Sequence, residues 1–95
     1  MGKRSKIEKN IFDLSHTLAT PVDTLINELD WVAVYKDIAL MRLQPIDDPN
    51  ATALYSYDLV GLKFGRTRLR IRQIMEQSWE DLRKKYNGKT KAVSF

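Results

Sequence analysis

A chain of 95 residues is shorter than a usual full domain, so one small core is expected, with at most an appended helix or tail. With 43% hydrophobic and 29% charged residues, the composition suits a soluble globular chain and lies away from the disordered, fibrous and membrane classes. Cysteine is absent and His16 is the single histidine, which excludes a disulfide framework and a Cys/His metal cluster; no apolar run approaches the roughly 20 residues that span a bilayer, so a cytoplasmic protein is expected.

The net charge of +4 is segregated along the chain. Residues 1–10 carry Lys3, Arg4, Lys6 and Lys9 against Glu8, for +3, and residues 11–58 hold two basic residues against eight acids, for −6. Residues 59–75 then place Lys63, Arg66, Arg68, Arg70 and Arg72 together with no acid, and the segment beyond them adds +2. A solubilising surface mixes signs, so this separation points to a polyanion-binding segment mounted on an acidic scaffold.

In chain order, a basic arm leads into a short amphipathic helix with Ile7, Ile11, Phe12, Leu14 and Leu18 at near-helical spacing, and residues 1–19 read as one unit. A basic arm of this kind is more often a solvated tail than a minor-groove reader. Thr20 is suited to cap the next helix, with Pro21 at its first position and Asp23 in its first turn. Residues 21–30 and 31–43 read as two helices or one continuous one. The prolines and aspartates of residues 44–50 form a connecting loop, and helical patterning resumes about Thr52 and runs to Phe64. A last helix extends from Thr67 to Lys85 or Tyr86, Asn87-Gly88 stops it, and residues 87–95 read as a mobile tail. Trp31 and Trp79, at helical spacing beside apolar neighbours, are expected to be packing residues. The adjacent carboxylates Asp47-Asp48 and Glu80-Asp81 have no partners that suggest acid–base catalysis or metal binding, so neither an enzyme nor a cofactor is expected.

Residues 20–86 thus form an all-α domain, and its second half has the pattern of a helix-turn-helix. Two short helices crossing steeply need a small residue where they touch, a glycine-like turn four residues later and apolar residues at fixed positions. Gly61, Gly65 and the set Val60, Phe64, Ile71 and Ile74 supply these in register, with Arg66 where an apolar residue is usual. Thr67 can cap the second helix. From there Arg68, Leu69, Arg72 and Gln73 share the face opposite Ile71 and Ile74, where a recognition helix meets base edges. Lys63, Arg66, Thr67 and Arg70 are the expected phosphate contacts.

The string from Leu59 to Ile74, with Leu82-Arg83-Lys84 after it, resembles the fourth region of primary bacterial sigma factors, whose signature runs V-G-x-x-F-x-V-T-R-E-R-I-R-Q-I and ends in a basic Leu-Arg-Lys stretch. In that family this helix reads the minus-thirty-five promoter element, so the resemblance implies DNA contact by Arg68, Arg72 and Gln73. The helix from Tyr35 to Leu43, with Leu40, Met41 and Arg42, resembles the preceding family helix, which helps bind the flap of RNA polymerase. Three departures stand out: Leu69 replaces a base-reading glutamate, Arg66 replaces a valine, and the loop from Gln44 to Leu54 is longer than the family's turn. An apolar side chain at 69 favours a thymine methyl over a cytosine amine.

The expectation is a sequence-specific double-stranded DNA-binding protein acting in transcription, as a sigma-like regulator or a stand-alone sigma-like subunit, since the chain has no room for the family's promoter-melting region. Readers this small usually need two half-sites, so a homo-oligomer or a polymerase partner is expected. Two alternatives use the same motif: the DNA-recognition subunit of a viral genome-packaging machine, and a sigma-mimicking interaction module that does not bind DNA.

Overall fold

A computed structural model describes residues 6–44 and 54–86. The described residues form five helices: α1 (Lys6–Leu18), α2 (Val22–Asn27), α3 (Ala33–Leu43), α4 (Tyr57–Phe64) and α5 (Arg68–Tyr86). The arm before Lys6, most of the 44–54 loop with Thr52, and the tail from Asn87 lie outside them.

α5 is the central element, packed against all four others. Its apolar stripe, Ile71, Ile74, Met75, Trp79, Leu82 and Tyr86, follows helical spacing and is buried along its length. The C-terminal half of the stripe joins Ile11 and Leu14 of α1 and Leu25 and Ile26 of α2 in the larger of two clusters, so α1 is part of the core. Ile71 and Ile74 join Ile38 of α3 and Val60 of α4 in the smaller one. Trp31 and Tyr57 pack against both clusters. Both tryptophans are packing residues, as their spacing predicts, and the Trp31 indole N–H donates to Asp81 at 2.7 Å.

The start of α2 differs from expectation. Pro21, not Thr20, takes the cap position in an extended conformation, and with no polar side chain there the helix has no side-chain cap; the Thr20 hydroxyl donates back to the Leu18 carbonyl at 3.1 Å. Residues 21–43 are not one helix either. α2 stops at Asn27, and tight backbone bonds from Leu29 N to Ile26 O and from Trp31 N to Leu29 O, at 3.1 and 2.9 Å, turn the chain before α3 starts. Lys36 then binds the Asn27 carbonyl at 2.8 Å, satisfying an α2 end that has no intrahelical partner.

A buried polar cluster fixes α4 to the rest. Glu8 of α1 is fully buried, and its Oε1 accepts from Arg42 Nε of α3 at 2.8 Å and from the Tyr57 hydroxyl of α4 at 3.0 Å. The Arg42 guanidinium lies 4.2 Å from the Tyr57 ring centroid and donates to the Tyr55 carbonyl as well. Every buried side-chain nitrogen and oxygen among the described residues has a hydrogen-bond partner, which is the condition for tolerating a charge pair inside a core.

The far end of α5 is tied to the turn after α2 by a hydrogen bond from the Tyr86 hydroxyl to the Glu28 carboxylate. Burial first, then that bond and the Glu28 charge, push the Tyr86 phenol from 10.0 up to about 12. The folded state holds this proton more tightly than the unfolded chain. Its contribution to stability is therefore complete below pH 10.0 and is lost as pH rises towards about 12. Chemical unfolding followed across that range should show the loss, and Tyr86→Phe should remove it; an identical pH profile in the variant would show that Tyr86 is not the cause.

Candidate nucleic-acid interface

α4 begins at Tyr57, later than the patterning from Thr52 predicts, because Ser56 caps it: its side chain accepts from Leu59 N at 3.1 Å. Val60 and Gly61 face inward, while Leu59, Leu62 and Lys63 face out. The helix ends at Gly65, whose left-handed φ of 65° and ψ of 37° terminate it. Arg66 N donates to the Gly61 carbonyl at 2.8 Å, so the chain doubles back within one residue of that glycine.

Gly61 is the contact point. A Cβ built on it would lie 2.5 Å from the Arg66 carbonyl oxygen, so only hydrogen fits between helix and turn. Three residues separate the helices, and the last, Thr67, accepts from Arg70 N at 3.1 Å and so caps α5 as its sequence predicts. Among the apolar positions, Val60, Ile71 and Ile74 are buried and Phe64 is half-buried. Arg66 is exposed and donates to the Phe64 carbonyl at 3.2 Å, which accounts for an arginine where an apolar residue is usual.

Arg68, Leu69, Arg72 and Gln73 are all exposed, on the side of α5 away from Ile71 and Ile74. They form a ridge with two flanks. Arg68, Leu69 and Arg72 line a cleft of about 550 Å³ completed by Lys6, Ile7 and Tyr57. Gln73 turns to the other flank, a groove of about 470 Å³ that it shares with Arg70, Trp31 and Tyr35. Arg70 is drawn there by Tyr35, whose ring centroid lies 5.5 Å from the guanidinium. Lys63 is exposed on α4, and Arg66 is exposed at the turn with its guanidinium on the Phe64 carbonyl.

Two acids reach the ridge: Asp58 lies 3.9 Å from Arg68, and Glu76 3.1 Å from Arg72. Such exposed pairs contribute only a few tenths of a kcal/mol, so both guanidiniums stay available to a polyanion. Lys6 and Tyr35 were not expected at the site because they come from α1 and α3, and Tyr57 was not because it lies at the start of α4, well before Lys63. The +3 charge of the first ten residues was the sequence signal for Lys6.

The helix Tyr35 to Leu43 presents less than its family resemblance implies. Arg42 is 2% exposed and committed to Glu8, and Leu40 and Met41 are half-buried. Among the described residues no acid/histidine cluster could hold a metal ion, and no helix is long and apolar enough to cross a membrane. No known protein family, curated protein or solved structure matches the chain.

Proposed function

We propose that α4 and α5 are a helix-turn-helix that binds double-stranded DNA, with α5 seated in the major groove, and that the protein acts in transcription as a sigma-like regulator or subunit. The observation that carries this reading is the exposed ridge of Arg68, Leu69, Arg72 and Gln73 on a helix held by the Gly61 contact. Arginine donates two hydrogen bonds to guanine and glutamine pairs likewise with adenine, while Leu69, 63% exposed, offers an apolar surface to a thymine methyl. Lys63, Arg66 and Arg70 supply sequence-independent affinity through phosphates.

Selection of bound sequences from a random duplex pool, with and without RNA polymerase, tests target and partner together. On the selected site Gln73→Ala should lose about 1–3 kcal/mol and on random duplex almost nothing. Equal losses on both would show that Gln73 does not read a base.

The sigma-mimicking alternative draws on Leu62, 81% exposed, and Leu59, 48% exposed, which are apolar residues on the outer face of α4. Titration with random duplex at several salt concentrations separates the two readings: a protein-only module would show no binding at low salt.

A further inference from the structure

The cleft beside the ridge extends the charged surface beyond α4 and α5. Its lining, Lys6, Ile7, Tyr57, Arg68, Leu69 and Arg72, brings together three cations; Arg68 and Arg72 are paired with Asp58 and Glu76 outside the lining, and Lys6, exposed at the first turn of α1, has neither acid as a partner. The opposite groove contains one cation, Arg70, and one acid, Asp30.

An α-helix with its side chains is about 10–12 Å across and the B-DNA major groove is about 12 Å wide, so a helix seated there meets a sugar–phosphate backbone along each flank. We propose that the Lys6 cleft receives the backbone of one DNA strand and that Lys6, supplied by α1, is a phosphate ligand. This rests on the DNA-binding reading above. The aliphatic walls, Ile7 and Leu69, suit the deoxyribose, and the Tyr57 hydroxyl is already given to Glu8, which leaves the three cations to meet the phosphates. Because the two flanks differ in charge, the strand on the α1 side is held more tightly than the strand on the Tyr35 side.

Lys6→Ala and Lys9→Ala, titrated with random-sequence duplex between about 50 and 200 mM salt, test this. Lys9 is exposed on the same helix but outside the cleft. Lys6→Ala is expected to bind roughly tenfold more weakly near 0.1 M salt, with the slope of log affinity on log salt reduced by about one. Lys9→Ala should keep the parent slope, and both variants the parent melting temperature. An unchanged slope for Lys6→Ala, or an equal reduction for both variants, overturns the proposal while leaving DNA binding intact. A parent protein that binds no duplex at low salt overturns the DNA reading itself.

Discussion

Arg42→Ala is expected to remove about 3–5 kcal/mol of stability, a large share of a small domain's total of about 5–15 kcal/mol. The reason lies in what stays behind. Glu8 is fully buried, and without the guanidinium its carboxyl group loses its charged partner where solvent cannot replace it, while the Tyr55 carbonyl loses a donor and the Tyr57 ring a stacked partner. Removing both charges at once is a milder change: Glu8→Leu combined with Arg42→Met, with Tyr57→Phe to retire the hydroxyl, should recover most of the loss. Urea unfolding of the single and triple variants decides the matter. A single variant within about 1 kcal/mol of the parent, or a triple variant less stable than the single, would sink this account of the cluster.

Gly61→Ala is the second large effect. Its new methyl would lie 2.5 Å from the Arg66 carbonyl, a backbone atom that moves only if the turn moves. A cost of about 1–3 kcal/mol is expected, together with a displaced α5 and weakened duplex binding. Gly65 makes the instructive contrast, since nothing lies within 4 Å of the corresponding methyl and only its φ of +65° resists substitution. Gly65→Asn, which tolerates the left-handed region, should therefore stay near the parent. Thermal melts and duplex titrations of the two variants check both points; Gly61→Ala with parent melting temperature and affinity would show that α4 and the turn are not in tight contact there.

Periodicity made α1 and α5 legible, down to the end of α5 at Tyr86, because each has a long stripe and α5 has clear boundary residues. The Gly61 contact, the Gly65 turn and the Thr67 cap were legible for the same local reason. Capping at Thr20 was not, since the helix starts at Val22 and its cap position falls on Pro21. Glu8 and Arg42 were unreadable in principle: one sits in a basic arm and the other in a helix that resembles a partner-binding one, and only their meeting across 34 residues buries them. The ridge of α5 was predicted as a face, but its division into two flanks depends on Tyr35 and Lys6, which tertiary packing alone brings to it.

The larger core cluster closes the first described helix against the last, with Ile11 and Leu14 sharing it with Met75, Trp79, Leu82 and Tyr86. During synthesis α1 can meet α2 and Arg42 of α3 early, but the contacts of Ile11 and Leu14 with α5 wait until that last helix has been made. Contacts of such long sequence separation carry the slowest loop closure in the chain. The proposed recognition helix and the keystone of the core are one element, so the exposed ridge of Arg68, Leu69, Arg72 and Gln73 is formed in the same step that completes the fold.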